Sequence, residues 1–379
     1  MLYKNFAVLT EKGYINEDIL VEDGRIKALG KIPGKGFDGT GKRIIPGLFD
    51  IHTHGGYGYD FNSAKNLEEM EKILDFYYSS GVTSVFPTLL TDHDEVFMKQ
   101  LPLIVELAKR HPIIKGIHLE GPFLSVEFKG AQPEECLQKP SLSVFERYQK
   151  QAQGLVKYIT IAPELEGSVA FTKAVTKEGV VVSLGHSAAT FDETSAAVQA
   201  GAKNFTHVMN AMKGIHQHFP SILSAAFYYD NCYNELIMDG IHVVPEMVEF
   251  VTKIKTPERV IGVTDSLMAA GLPDGSYYIG FTPITVKNGD CTITATGVRA
   301  GSTLRAIAGF RNFQKFTGRG PEQAAETWSL NPAKLFGMDR EQGSLEVGKK
   351  ADFDILDGKD NLLATYIGGE KVYDGEEKA

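Results

Sequence analysis

The sequence predicts an α/β fold: a (β/α)8 barrel of the TIM type flanked by a small β-sandwich domain formed by both chain ends. Three observations predict it. Eight short apolar runs alternate with amphipathic helical stretches between residues 47 and 342. Residues 1–46 and 343–379 are instead rich in short alternating runs and glycine. A side chain of metal-binding type also stands just past five of the apolar runs. Strands alternating with helices imply a parallel sheet, and eight such units imply its closure into a barrel.

In chain order, FAVLT, DILVEDGRIKALG and KRIIP read as strands, with Asp23-Gly24 as a hairpin turn. The barrel strands follow as GLFDIHTH, VTSVFPTLL, IIKGIHLE, YITIAPE, VVVSLGH, NFTH, ELIMDG and VIGVTD. Between them NLEEMEKILDFYYSSG, EVFMKQLPLIVELAKR and VFERYQKQAQGLVK carry apolar residues three and four apart, the period of a one-sided helix. GSLEVGKKADFDILDG and ATYIGGEKVYDG have strand-turn-strand character again. Neither end can bury a core alone, so the two are expected to pair. The charged tail DGEEKA is expected to fray.

A chain of 379 residues with 43% hydrophobic content can bury one large domain and a satellite. Its net charge of -9 argues against a nucleic-acid partner, which needs a basic face. A small anionic substrate is still compatible, because a few local donors bind phosphate. Cys136, Cys232 and Cys291 are odd in number and widely spaced, so neither a disulfide framework nor a zinc-thiolate site is indicated. They read as reduced thiols of a reducing compartment. The start MLYKNFAVLTEKGY has no long apolar stretch of signal type, and no run reaches the roughly 20 residues of a membrane span. A cytoplasmic protein without membrane association is expected.

The chemistry sits at the strand ends, which in this fold form the active-site face. His52 and His54 lie two apart, so in a strand both imidazoles face one way and can bind one ion. Gly55, Gly56 and Gly58 then open room around them. Glu120 is exposed by the sharp stop of Gly121-Pro122, and a carboxylate among histidines can bridge two cations. His118, two residues earlier, reads as a supporting or core residue. A lone histidine after a strand is more often an ordinary polar residue. His186 and His207, in consecutive strand–helix units, reverse those odds. Two histidines and a carboxylate leave a position for water, as catalytic zinc sites require. Neutral imidazoles equally suit iron, cobalt or nickel. Asp265 ends the last strand, where it can shuttle a proton or cap the following helix. His242, in a loop, is a candidate substrate contact.

The motifs PGLFDIHTHGG, HLEGPF, GHSAAT, THVMNAM, MDGIHV and VTDSLMAAGLPDG together resemble those of the N-acetylglucosamine-6-phosphate deacetylase family, in the amidohydrolase superfamily. NPAKLFGMDREQGSLEVGKKADFDILD is similar to that superfamily's return into its small domain. The resemblance covers essentially the whole chain. It implies hydrolysis of an acetamide to acetate and an amino-sugar phosphate. It implies Glu120, His186 and His207 as metal ligands, His52 and His54 as the pair holding a second ion, and Asp265 as acid/base and ligand. One or two divalent transition metals are implied, with zinc the first expectation. His242 is matched to a contact with sugar hydroxyls, and Asn210 and Ala211 to a backbone phosphate contact. A homodimer with the site near the interface is also implied.

Three segments depart from the family pattern. Lys129-Gly130-Ala131-Gln132 stands where the family has Lys-Gly-Ala-His, whose histidine polarises the substrate carbonyl. His218-Phe219-Pro220-Ser221 replaces Arg-Glu-Pro-Gly, whose arginine pairs with phosphate. Arg299 precedes Ala300-Gly301-Ser302 where leucine is usual. Ala131, Gln132, His218, Arg299, Ala300 and Gly301 are therefore candidate substrate contacts, with Arg299 a replacement for the lost charge. The expected activity is deacetylation of N-acetylglucosamine 6-phosphate. The alternatives are a deacylase of another N-acyl compound, unphosphorylated or of a different sugar, and a non-catalytic sugar-phosphate-binding protein.

Overall fold

A computed structural model describes residues 1–280 and 282–375. Phe281 and the last four residues of the expected frayed tail lie outside the described residues.

All eight expected barrel strands form, at Leu48–Thr53, Val82–Leu90, Ile117–Glu120, Val156–Ile161, Val181–Leu184, Asn204–Phe205, Tyr233–Ile237 and Val260–Val263. Each pairs in parallel with its chain neighbour. The first and eighth meet at their C-terminal ends, where the Asp265 N–H donates to the His52 carbonyl at 2.9 Å and the His54 N–H to that of Ser266 at 2.8 Å. This closure brings the first ligand pair beside the last acid. Near-continuous apolar runs such as VTSVFPTLL suit strands covered on both faces, and that strand is buried along all but its last residue.

The helices cover the barrel with the predicted stripes. Helix Asp94–Arg110 buries Phe97, Leu101, Ile104 and Val105. Helix Leu67–Tyr78 starts on Asn66, whose side chain accepts from the Glu69 N–H. The third helical stretch is shorter than the sequence suggests. It ends at Gln151, because Gln153 and Gly154 both take positive φ (51° and 82°), and Val156 already begins the fourth strand. No helix among the described residues is long and apolar enough to cross a membrane.

Both chain ends join one sheet, in the order Glu370–Asp374, Leu362–Ile367, Phe353–Leu356, Arg43–Pro46, Leu2–Thr10, Gly13–Glu22, Arg25–Gly30. It has its own apolar core of residues from both ends, including Tyr3, Phe6, Ile44, Phe353 and Tyr366. Asp23 and Gly24 form the expected hairpin turn, both with positive φ (50° and 72°), as a turn matched to strand twist demands.

One element is absent from the sequence reading. After the eighth strand, Gly275–Ile279, Thr282–Lys287 and Asp290–Ile293 form a three-stranded antiparallel flap. A separate apolar cluster that includes Leu267, Ile284, Val286 and Cys291 holds it. Its signal was present: Asn288-Gly289 is a hairpin dipeptide, and both residues take positive φ.

Candidate metal centre

Six side chains converge at the C-terminal mouth of the barrel. Glu120 Oε1 lies 3.0 Å from His186 Nε2 and 3.1 Å from His207 Nε2, and these two nitrogens are 3.0 Å apart. His54 Nε2 is 3.0 Å from Asp265 Oδ1, and His52 Nε2 is 3.3 Å from Glu120 Oε1 and 3.5 Å from Asp265 Oδ1. Glu120 Oε2 is 3.5 Å from His54 Nε2, so its carboxylate stands between the two histidine pairs. All six residues are buried.

The tautomers show that a cation belongs here. His186 Nδ1 faces the Phe128 carbonyl at 2.9 Å, His54 Nδ1 the Thr88 carbonyl at 3.3 Å, and His52 Nδ1 the Glu235 carboxylate at 3.1 Å. Each partner only accepts, so each Nδ1 carries the hydrogen, and Nε2 is the nitrogen left to aim a lone pair inward at a metal. Those lone pairs face carboxylate oxygens, acceptors against acceptors, and the Nε2 atoms of His52 and His54 have no hydrogen-bond partner. Burial alone would lower the pKa of His52, but Glu120 and Asp265 outweigh it and hold the imidazole well above its ordinary value. Burial would likewise raise Glu120, yet His52 first, and then His186 and His207, hold it well below the usual carboxylate range. Without a metal, a proton on His52 supplies the positive charge that the carboxylates demand. The donor set, imidazole nitrogen and carboxylate oxygen, fits a divalent transition metal. Its spacings match ligands at roughly 2 Å from a shared ion.

The backbone is bent to make this possible. His186, His207 and Asp265 all take positive φ (47°, 27° and 48°), each costing about 1–3 kcal/mol for a residue with a side chain. Tertiary hydrogen bonds hold two of these turns: the Ser125 N–H donates to the His186 carbonyl, and the Ser302 N–H to that of Asp265. Gly301, beside the latter, must be glycine. A Cβ there would lie 2.8 Å from the Asp265 carbonyl oxygen, and its φ is +48°.

Residues that the sequence reading passed over support the ligands. Glu235, fully buried in the seventh strand, accepts from His52 Nδ1, from the Asn204 side chain (3.0 Å), from the Tyr158 hydroxyl and from the His207 N–H (3.1 Å). A metal-binding imidazole held by a carboxylate in this way is fixed in tautomer and orientation. Its signal was a glutamate inside an apolar run, because a glutamate is almost never fully buried unless paired. Asp50 is pushed up to about 7 by burial, although the Thr264 hydroxyl donates to it. His118 is a buried supporting residue, between the Thr88 and Thr160 hydroxyls at 3.2 and 2.9 Å, and burial pushes its pKa well down.

The centre opens into a cavity of about 810 Å³. Ala131, Gln132, Asn210, Ala211, His242, Arg299, Ala300 and Gly301 all line it. Gln132 Nε2 donates to Glu120 Oε2 at 2.7 Å, so this residue holds a ligand as well as facing the cavity. His242 gives Nδ1 to Asp239 at 2.7 Å, which leaves Nε2 for a ligand. Arg299 is half-exposed and already gripped by Asp290 at 3.0 and 3.3 Å. His218 departs from the expectation. It is exposed, does not line the cavity, and accompanies His216 and Phe219 on a surface loop. Glu164, at the end of the fourth strand, binds Ser187 and the Ala188 N–H and takes no part in the centre.

Comparison with known proteins agrees with this geometry. The profile described as "Amidohydrolase family" matches residues 43–373. N-acetylglucosamine-6-phosphate deacetylase of Rattus norvegicus is 35% identical, over 99% of this chain and 96% of that protein. N-acetylgalactosamine-6-phosphate deacetylase of Escherichia coli O157:H7 is 32% identical, over 96% of this chain and 97% of its own. A mutant of N-acetyl-D-glucosamine-6-phosphate deacetylase from Mycobacterium smegmatis, solved in complex with N-acetyl-D-glucosamine-6-phosphate, superposes with a TM-score of 0.93 at 30% identity. That match covers 98% of this chain and 99% of the solved one.

Proposed function

Because this chain belongs to the amidohydrolase family, among the N-acetylglucosamine-6-phosphate deacetylases, we propose that it hydrolyses the acetamide of an N-acetylated amino sugar 6-phosphate, releasing acetate. The observation that carries the proposal is the convergence of His52, His54, Glu120, His186, His207 and Asp265 on one buried point at the floor of a ligand-sized cavity.

Glu120, His186 and His207 would hold one ion, and His52, His54 and Asp265 a second. Zinc is the first choice for this donor set, with iron, cobalt and nickel as alternatives. A divalent metal supplies Lewis acidity toward the amide carbonyl and an ionised water near neutral pH. The protein's own residues do the rest. Asp265, held below the usual carboxylate range because His52 and His54 outweigh its burial, is ionised and ready to accept a proton. It delivers that proton to the departing amine as the C–N bond breaks. Gln132 and Glu235 fix the ligands. The Nε2 of His242 meets sugar hydroxyls, and Asn210, Ala211 and Arg299 face the phosphate.

A second reading changes the sugar only. The relative named for the galactosamine compound is 32% identical, against 32% and 35% for two named for the glucosamine one, and Gln132, His218 and Arg299 depart from the family pattern. The test is acetate release from the two N-acetylhexosamine 6-phosphates and from unphosphorylated N-acetylglucosamine. Turnover of none of them by metal-loaded protein would defeat the proposal.

We further propose a cytoplasmic homodimer. Three buried, unpaired cysteines suit a reducing compartment. The exposed Ile215 and Phe219, on the loop that also carries His218, supply apolar surface for a second copy. Sizing by light scattering tests the dimer.

A further inference from the structure

The cavity spans the barrel mouth, and its two sides differ in chemistry. On one side, the ends of strands six to eight and the flap present groups with hydrogen-bonding capacity to spare: His242 Nε2, the Asn210 amide and the Arg299 guanidinium. On the other, the ends of strands two and three continue past the metal centre into an arm. Leu90, Val96, Pro133 and Cys136 line it, the last two from the segment that follows Gln132. In an eight-stranded barrel these two sectors lie opposite each other across the centre.

Most polar groups on the wall of this arm are engaged within the protein; the Gln100 amide donates to the Asn62 and Ala64 carbonyls, and only its buried Oε1 lacks a partner among them. The Asn62 amide donates to the Leu90 carbonyl and Asp92 and accepts from the Leu90 N–H. Gln132 accepts from the Thr91 N–H and donates to Glu120, and the Thr91 hydroxyl donates to the Glu120 carbonyl. Apart from these groups, the Gln100 amide among them, and the Asp92 carboxylate, which accepts from the Asn62 amide, the inner wall is aliphatic, prolyl and thiol. The other polar residues that line this side, Ser63, His93, Lys99 and Glu135, are exposed.

The scissile amide has to lie over the metal centre, so the two halves of the substrate run to opposite sides. A polyhydroxylated, anionic half fits the side that offers donors. The acyl half then enters the arm, where Leu90, Val96, Pro133 and Cys136 together offer more apolar surface than a methyl group covers. We infer that this chain is a deacylase for hexosamine 6-phosphates bearing N-acyl chains longer than acetyl, with Leu90, Val96, Pro133 and Cys136 as the acyl-binding surface. The inference rests on the proposed amide hydrolysis. The bonds made and broken are those of the proposed deacetylation: the C–N bond breaks, the oxygen of water joins the acyl carbon to give a carboxylate, and the amine nitrogen takes both protons of that water and leaves as an ammonium.

The test is a chain-length series on the metal-loaded enzyme: N-acetyl-, N-butanoyl- and N-hexanoyl-glucosamine 6-phosphate. A pocket closed around a methyl group rejects each added methylene by roughly tenfold or more. An open apolar arm gains up to about fourfold per buried methylene. The expected result is kcat/KM for the butanoyl compound within about tenfold of that for the acetyl compound, or above it. A larger fall would overturn the inference while leaving deacetylation standing. Turnover of no member of the series would overturn the functional reading itself. Val96→Phe, which narrows the arm from the first turn of helix Asp94–Arg110, is expected to lower the butanoyl-to-acetyl ratio at least tenfold. An unchanged ratio would place the acyl chain elsewhere.

Discussion

Gln132 and Glu120 are joined by a hydrogen bond of 2.7 Å from the amide Nε2 to the carboxylate Oε2. The other end of the amide, Oε1, accepts from the Thr91 N–H at 2.9 Å. That N–H can only donate, so the amide cannot flip, and its NH2 must face the carboxylate. Glu120 is thereby turned so that Oε1 serves His186 and His207 while Oε2 looks toward His54.

From this clamp, Gln132→Leu is expected to weaken metal retention. Outer partners of metal ligands typically contribute about 10- to 100-fold in affinity. Metal content after dialysis against graded chelator measures it. Retention equal to that of the unaltered protein would make Gln132 a substrate contact alone.

Asp265→Asn should fold and still bind at least one metal, yet turn over about 100-fold more slowly or worse, the usual contribution of a general acid–base group. The readouts are kcat, metal content and a thermal melt. Near-normal kcat would move proton transfer to another residue.

The two ligand sets are expected to separate by mutation. His186→Ala and His207→Ala should abolish activity and lose the ion shared with Glu120. His52→Ala with His54→Ala should cost only a second equivalent, counted by elemental analysis. Exhaustive chelation should abolish activity, and added divalent metal should restore it. Full activity in metal-free protein would contradict the whole assignment.

Arg299→Leu should raise KM for the 6-phosphate more than for the unphosphorylated sugar. Losing a charge-assisted hydrogen bond costs roughly 1.5–3 kcal/mol, or about 10- to 150-fold. Asp290 competes for the same guanidinium, so the effect belongs near the lower bound. Equal effects on both substrates would leave Arg299 with the ion pair as its only role, worth at most about 1 kcal/mol at an exposed site.

Asp354 gives a pH prediction away from the site. It is fully buried in the end sheet, and neither carboxylate oxygen has a hydrogen-bond partner. The Thr365 hydroxyl, opposite it in the sheet, donates instead to the Tyr78 carbonyl at 2.9 Å. Burial, then the neighbouring Asp352, hold the acid well above its ordinary pKa. The folded protein therefore keeps a proton that the unfolded chain releases near pH 4. Its contribution to stability is full below that pH and is lost as pH rises toward the folded pKa. Asp354→Asn should stabilise by roughly 1–3 kcal/mol at pH 8 and little at pH 4. Thermal melts at both pH values decide it, and a gain independent of pH would refute the titration.

The sequence by itself determined the barrel and the ligand set, because both are written locally. Each strand is a short apolar run, and each ligand lies on that run or within two residues of its end, so period and position suffice. His52 and His54 share a face through the two-residue repeat of a strand. Tertiary structure decided what depends on strands far apart in the chain. Glu235 looks like one polar residue of ELIMDG until barrel closure brings His52, Tyr158, Asn204 and His207 onto its carboxylate. Gln132 read as a substrate contact until the fold set Thr91 and Glu120 at the two ends of its amide. His218 was matched to a phosphate contact by its place in a motif, but the loop carries it to the surface, outside the cavity. A hydrogen bond between residues 183 positions apart, as between His52 and Glu235, leaves no periodic trace in either segment. Only the register and closure of the barrel specify it.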